Sequence, residues 1–364
     1  MRYGRLAGPV AGYRAGRLRG AIASIVTIVF AAALLASAAC NAASAAAQPG
    51  FLDVPGTPYL GQTPPGTTPE LFAPGIVSNG LYNRDCIANA DGTEMFIGLM
   101  RGEIVTVLWT RLKEGRWTSL EMVPFSVGAD YAVFEPALSP DGNTLYFLTN
   151  KAAPGQEPRP GWGNQNIFAS DRSGDGWGEP YPAPGPITSA DNDYYPSFTS
   201  DGTIYYTHHR RGEPGAIWRS RLVDGRYAEP EKLGPEVNCG RDSYNAFIAF
   251  DESYIIVCAN GRDDLIGEAD YYIVFRSEED VWTGPVNMGE PINLPGTSAS
   301  SSFVSRDGRY LFFSSDRRDD ARNIPGGKLT AEVLKKLYKS PQNGFADIYW
   351  VDAAVIESLR PAGE

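Results

Sequence analysis

The segment FEPALSPDGNTLYF, residues 134–147, contains the pattern from which the fold of this chain can be inferred. It is typical of two short strands joined by a tight turn at residues 140–142. The centre of the turn is Asp141 and Gly142, and Asp tolerates, while Gly prefers, the positive φ angles of such turns. The LYF run at residues 145–147 is aliphatic and aromatic, as a buried strand requires.

Variants of this hairpin recur along the chain. The turn is found at Asp91-Gly92, Asp141-Gly142, Asp201-Gly202, Asp251-Glu252 and Asp307-Gly308, at intervals of 50, 60, 50 and 56 residues. A short apolar strand follows each turn. Because the fourth copy has Glu252 in place of glycine, its turn is expected to differ in type.

Each repeat contains a further strand downstream, at residues 166–168, 216–218, 270–272 and 347–349, with residues 107–109 as a looser first copy. In the first four repeats a Gly- or Asp-rich turn and a Pro-containing segment follow. Four strands at a period near 50 indicate a β-propeller blade. The sequence therefore predicts an all-β fold, a β-propeller of five four-stranded blades. Six blades are the alternative, but only residues 48–68 remain to supply a sixth.

The fifth repeat lacks its fourth strand, and a matching segment occurs near the start of the chain. Residues 69–78, PELFAPGIVS, resemble residues 230–238, PEKLGPEVN. We expect this N-terminal strand to complete the last blade and close the ring, which removes exposed sheet edges. The predicted organisation is thus an N-terminal segment at 48–78 and repeats at 79–360.

The first 47 residues have the order of a secretory signal. Five arginines and no acids precede an apolar run at residues 21–39, and small residues end at Ala47 before Gln48. This pattern predicts a cleaved signal peptide and a periplasmic or secreted protein. Two alternatives remain open: a membrane anchor through lipidation of Cys40, and an uncleaved N-terminal helix.

Without residues 1–47, the chain has 27 basic and 43 acidic residues, a net charge of −16. Such a field does not favour nucleic acid or an anionic lipid surface. Three cysteines remain, Cys86, Cys239 and Cys258. They allow one disulfide with one free thiol, or three small buried side chains, and the pairing is not readable from the sequence.

Two insertions interrupt the repeats. Residues 151–163 form a Pro/Gly-rich loop with Trp162 near its end, and residues 318–345 contain a predicted helix at 330–338 with Thr330 as N-cap. Loops longer than about 12 residues are commonly functional in compact domains.

The repeats resemble a known family. The segments SPDGNTLYF at 139–147 and SRDGRYLFFSS at 305–315 are similar to the WD40-like PD40 repeat of TolB-like propellers. The resemblance spans roughly residues 58–360 and implies an exported, stand-alone propeller. The family includes periplasmic protein-binding modules, parts of peptidases and some polysaccharide lyases, so the resemblance does not define an activity. TolB-like proteins typically have six blades and an extra domain, and this sequence predicts neither.

Candidate ligand-binding residues are charged or aromatic groups near the starts of the inner strands and the ends of the second strands. They are Glu135, Asp193, Tyr194, Tyr195, Arg211, Tyr244, Arg262 and Arg317. Repeated acids and cations on one face predict either a ring that binds an ionic ligand or structural pairs within and between blades. The tyrosines predict stacking on a sugar or a peptide side chain, or packing.

The sequence lacks a G-x-S-x-G elbow, a C-x-x-C pair and an H-E-x-x-H motif. We therefore expect a monomeric, non-catalytic binding or scaffold protein of the cell envelope, without cofactor or metal, whose partner is an envelope protein or a cell-surface polysaccharide. A glycan-binding or glycan-active propeller is the alternative, because carboxylate pairs cannot be recognised without geometry.

Overall fold

The computed structural model describes residues 50–277, 279–318 and 329–361, whose strands form five antiparallel sheets arranged as the blades of a propeller. The prediction of an all-β, five-bladed propeller is confirmed, and the six-bladed alternative is not. The predicted signal peptide at residues 1–47 and Cys40 lie outside the described residues. No helix within these ranges is long and apolar enough to cross a membrane.

Strand β1 (Glu70–Leu71) belongs to the last blade. Blade 1 contains β2 (Tyr82–Ala88), β3 (Glu94–Arg101), β4 (Ile104–Lys113), β5 (Arg116–Trp117) and β6 (Glu121–Met122). Blade 2 contains β7 (Phe134–Leu138), β8 (Thr144–Thr149), β9 (Asn166–Ser173), β10 (Gly176–Trp177) and β11 (Tyr181–Pro182). In both blades two short strands pair with the third strand, so the outermost position of the sheet is occupied by two short strands instead of one.

Blade 3 contains β12 (Asn192–Phe198), β13 (Ile204–His209), β14 (Ala216–Ser220) and β17 (Glu231–Lys232), with a separate hairpin of β15 (Leu222–Val223) and β16 (Arg226–Tyr227). Blade 4 contains β18 (Asp242–Ile248), β19 (Tyr254–Asn260), β20 (Asp270–Phe275) and β21 (Val286–Asn287). Blade 5 contains β22 (Ser302–Val304), β23 (Tyr310–Ser315), β24 (Asp347–Asp352) and β1. The helices are α1 (Ala331–Tyr338) and α2 (Ala354–Glu357), and two 3-10 turns are Tyr59–Gly61 and Pro124–Ser126.

The repeated turns join the inner strand of each blade to its second strand. In blade 2, Asp141 accepts hydrogen bonds from the Ser139 hydroxyl (2.6 Å) and the Asn143 amide (3.0 Å). The expectation of a different turn in blade 4 is wrong. Glu252 adopts φ +63°, close to the +72° of Gly142, and its amide makes the equivalent bond. Its carboxylate pairs with Arg276 at 2.8 Å, which helps to hold this unfavourable conformation.

The N-terminal strand closes the ring, as predicted. Leu71 pairs with Tyr349 of β24, and the amide of Phe72 donates to the Ile348 carbonyl at 2.8 Å. The fully buried Phe72 ring packs on Phe312 and Trp350, with centroids 5.1 Å away in both cases. This aromatic cluster joins both ends of the described chain in one hydrophobic core.

The remaining core lies between adjacent blades, where the faces of neighbouring sheets bury their aliphatic and aromatic side chains. The segment that precedes β1 packs over the contact between blades 1 and 5. Tyr59 packs against the turn at Gly92, where a Cβ atom would lie 2.6 Å from the tyrosine ring, so glycine is required. Cys86, Cys239 and Cys258 are all free thiols.

Candidate functional site

The inner strands place one residue each at the same level of the propeller axis, six positions before the turn aspartate. These residues are Asp85, Glu135, Tyr195, Asn245 and Ser301, and all five are buried. In blades 2, 3 and 4 the residue has a positive φ, of 49°, 54° and 49°. The pairing with the second strand slips by one residue there. Such bulges re-aim side chains, and here they serve contacts between blades.

Together with Arg84, which precedes Asp85, these residues form an axial network that joins all five blades. Arg84 of blade 1 donates to Glu135 of blade 2 at 2.7 Å, and to the Ser300 carbonyl of blade 5 at 3.4 Å. Asn245 of blade 4 donates to the same carbonyl at 2.7 Å. The hydroxyl of Tyr195 in blade 3 lies 2.8 Å from that of Ser301. The network therefore fills the axis at this level with polar groups.

The axial network contains one guanidinium and two carboxyl groups. Both oxygens of Asp85 and Oε2 of Glu135 are buried without a hydrogen-bond partner among the described residues. Burial raises the pKa of Asp85, and Arg84 only partly opposes this effect. Burial, together with the charge of Asp85, likewise raises the pKa of Glu135, to about 7, against the opposing effect of Arg84. The pair therefore holds a proton to higher pH than exposed carboxyls do.

Three predicted site residues make contacts within the propeller. Asp193 is fully buried and bonds to His208 Nδ1 at 2.7 Å and to the Ser189 amide. Arg262 pairs with Asp264 at 2.8 Å. Arg317 donates to the Pro291 and Ile292 carbonyls and lies over the Tyr349 ring.

Among the described residues, Asp193, Arg262 and Arg317 thus make local contacts, as in the second expectation from the sequence, that of structural pairs. The partner of Glu135 is Arg84, which sequence analysis did not identify. The only available signal was that Arg84 neighbours Asp85, the blade 1 member of the repeated acids. Its role depends on a bulge between Asn83 and Asp85, which the sequence does not reveal.

The candidate tyrosines make packing contacts, which was one of the two roles expected for them. Tyr195 is buried, and its hydroxyl is part of the axial network, so its ring is not available to a ligand. Tyr244 is half-buried and donates to the Ala299 carbonyl at 3.0 Å. Tyr194 is half-buried, with its hydroxyl near Gly215. These tyrosines pack against neighbouring strands, and Tyr195 also lines the narrow cavity of about 70 Å³ between the inner strands.

The face on which the inner strands begin contains both insertions, and we call it the insert face. The loop at 151–163 joins β8 to β9, and residues 316–346 join β23 to β24. Both loops connect the second and third strands of their blades, and in an antiparallel sheet this connection lies beside the start of the first strand. Helix α1 begins as predicted, with Thr330 accepting a hydrogen bond from the Val333 amide at 3.2 Å.

A groove of about 580 Å³ lies on the insert face, beside the loop at 151–163. We call it the Trp162 groove, and its side chains include Arg159, Trp162, Asp191, His209 and Arg211. Of the predicted site residues, Arg211 lines this groove, whereas Glu135 and Tyr195 line a narrow cavity of about 70 Å³ between the inner strands. Trp162 has 38% of its surface exposed, which is high for an aromatic side chain.

A second cavity, of about 620 Å³, lies on the opposite face between blades 4 and 5. Its acids include two turn aspartates. Asp251 accepts from Ser253, and Asp307 accepts from Ser305, each at 2.6 Å. Both carboxylates already accept hydrogen bonds within their own turns, so Asp251 and Asp307 are not a free pair of acids for catalysis in this cavity.

The sequence matches no family model and no curated protein. Solved structures resemble the propeller at low identity. A protein assigned as a TolB from Agrobacterium tumefaciens has a TM-score of 0.44 and 13% identity, over 75% of this chain and 90% of that chain. TolB from Acinetobacter baumannii has a TM-score of 0.40 and 13% identity, over 75% and 57% of the two chains.

The NanB sialidase of Streptococcus pneumoniae has a TM-score of 0.38 and 13% identity, over 68% of this chain and 35% of that chain. These likenesses concern the fold, which the five sheets establish by themselves. TolB structures are thus among those that this chain resembles, and its own five sheets make the protein a five-bladed β-propeller.

Proposed function

We propose that this protein is a non-catalytic, exported binding protein of the cell envelope that engages another protein through its insert face. The N-terminal pattern of residues 1–47 supports export. The carboxyl groups of the axial network are buried, and the cavity that Glu135 lines, of about 70 Å³, is smaller than the roughly 300–1,000 Å³ of small-ligand sites. In the Trp162 groove, Asp191 is engaged by Arg210 and lies 3.9 Å from His208. These observations favour binding over acid–base catalysis.

The observation that carries the proposal is the exposed apolar surface of helix α1. Leu334 is 51% exposed and Leu337 is 39% exposed. They are three residues apart and therefore share one side of the helix. Leu329, just before the helix, is 56% exposed. Neighbouring exposed leucines are typical of protein-contact surfaces.

Contacts at its C-terminal end hold this helix on the propeller. The guanidinium of Arg101 lies 5.0 Å from the centroid of the Tyr338 ring, and Tyr338 packs on Phe345 at 6.0 Å. Asn343 donates to the Gly80 carbonyl at 2.9 Å. The fold thus uses Tyr338 as an anchor, and the two leucines remain for a partner.

The charges of the helix indicate the character of this partner. Lys335 and Lys336 lie in its last turn, next to the leucines. An apolar groove with an acidic rim complements such a helix, because the leucines fill the groove while the lysines meet the rim. We therefore propose a protein partner with this kind of groove.

The test is affinity capture with the tagged full-length protein from the envelope fraction of its source. The double substitution Leu334→Ser/Leu337→Ser is compared with Leu222→Ser/Val223→Ser, which changes two exposed apolar residues of the blade 3 hairpin. We expect a partner that is lost with the helix variant and kept with the hairpin variant. Capture that neither double substitution alters would contradict the proposal.

A further inference from the structure

We propose that the Trp162 groove binds an acidic saccharide, a sugar ring that carries a carboxylate. This site is distinct from the leucines of helix α1, and its binding does not depend on the proposed protein partner. Its volume of about 580 Å³ lies within the range of about 300–1,000 Å³ typical of small-ligand sites.

The first argument is charge. Arg211 makes no hydrogen bond or ion pair with any described residue, and Arg159 has only a 3.4 Å contact with the Gly163 carbonyl. The one acid that lines the groove, Asp191, is already engaged by Arg210. Neither guanidinium group therefore has an acidic partner among the described residues. Guanidinium groups bind carboxylates through paired hydrogen bonds, so an anionic ligand fits this groove.

The second argument is the exposed indole. Trp162 combines a large apolar face with an N–H donor, and no described residue covers the exposed 38% of its surface. Sugar rings have apolar C–H faces that pack on such rings, while their hydroxyls take hydrogen bonds at the edge. His209 also lines the groove and provides a further polar group. An aromatic face next to two cations therefore fits a sugar acid better than a simple anion.

The third argument is that the loop is held in place by buried amides. Asn164 accepts from the Arg159 amide at 2.7 Å. Gln156 donates to Asn166 at 2.9 Å and to the Ser189 carbonyl at 2.6 Å. Asn164 and Asn166 are buried. This network fixes the loop before any ligand binds, which lowers the entropic cost of binding.

The experiment is titration calorimetry of the full-length protein with trigalacturonate, accompanied by tryptophan fluorescence. The methyl ester of the same trisaccharide has the same rings without the charges and is the ligand control. We expect the acid to bind, and the ester to bind at least about tenfold more weakly, since charged hydrogen bonds are about twice as strong as neutral ones. Failure of the acid to bind, or equal affinity for the ester, would overturn the proposal.

Three variants locate the site. Arg211→Ala and Trp162→Ala should each reduce the affinity about tenfold, while Arg226→Ala, on the exposed edge of blade 3, should leave it unchanged. All three positions are on the surface, and thermal melting confirms that each variant is folded. Equal binding by the Arg211 variant would refute the site. A tripeptide with a free carboxyl terminus that binds as tightly as trigalacturonate would refute the saccharide assignment.

Discussion

Replacing Arg84 by methionine removes the cation of the axial network while keeping a long apolar side chain. The substitution deletes the 2.7 Å ion pair with Glu135 and the contact with the Ser300 carbonyl. It leaves two buried carboxyl groups, those of Asp85 and Glu135, without a cationic partner from this residue. Removing one partner of a buried ion pair costs about 3–5 kcal/mol, because the remaining charge stays out of water.

The cost of this substitution depends on pH. At pH 8 both carboxyls are driven towards ionisation, so we expect the full loss of about 3–5 kcal/mol in the free energy of unfolding. At pH 5 the pKa of Glu135, already raised in the native protein, favours the neutral acid. Only hydrogen bonds are then lost, at about 1–2 kcal/mol.

Urea denaturation at both pH values, followed by tryptophan fluorescence, measures this difference. The matched control is Arg262→Met, which removes a partly exposed pair with Asp264 and should cost about 1 kcal/mol or less. A loss below about 1 kcal/mol for Arg84→Met at pH 8, or an equal loss at pH 5 and pH 8, would refute the role assigned to the axial network.

Three further predictions concern the stability of the propeller. The pKa of Glu135 is raised from 4.5 to about 7, so its contribution to stability is complete below pH 4.5 and is lost as the pH rises through 7. Urea titrations should therefore give an unfolding free energy that is lower at pH 8 than at pH 5, by at most about 3 kcal/mol. An unfolding free energy that rises from pH 5 to pH 8 would contradict the raised pKa of Glu135. Phe72→Ala should lower the free energy of unfolding by about 3–5 kcal/mol, because it leaves a cavity in the aromatic cluster that closes the ring. Urea unfolding measures this loss, and a value under about 1 kcal/mol would argue against that closure. The three cysteines of the described region are free, so reducing agent should not lower Tm, and a drop of several degrees would reveal a disulfide.

The architecture could be read from the sequence because each repeat contains its own local signals. The Asp-Gly turns and the strands that follow them act within a few residues, and the similarity of residues 69–78 to 230–238 was sufficient to predict ring closure. The turn at Glu252 was predicted wrongly because its conformation is supported by Arg276, more than 20 residues away in the chain. Local residue preference was overridden there by a tertiary contact.

The site was much less accessible to sequence analysis. Repeated charges such as Asp193 and Arg317 suggested a ring, but each is satisfied within the structure. The axial network depends on five inner strands that meet only after folding, so no spacing along the chain identifies Arg84 as the partner of Glu135. Trp162 stood out because it lies in an insertion, the part of a repeat protein that the fold does not require.

The most direct test of the proposed function is site-specific photo-crosslinking in the envelope of the source organism. A photoreactive amino acid is placed at Leu334 on helix α1 or, as the control, at Leu222 on the blade 3 hairpin, both of which are exposed. The account predicts a discrete adduct with one protein from position 334 and none from position 222. Adducts from position 222 alone, or none from either position, would contradict a protein-binding role for the insert face.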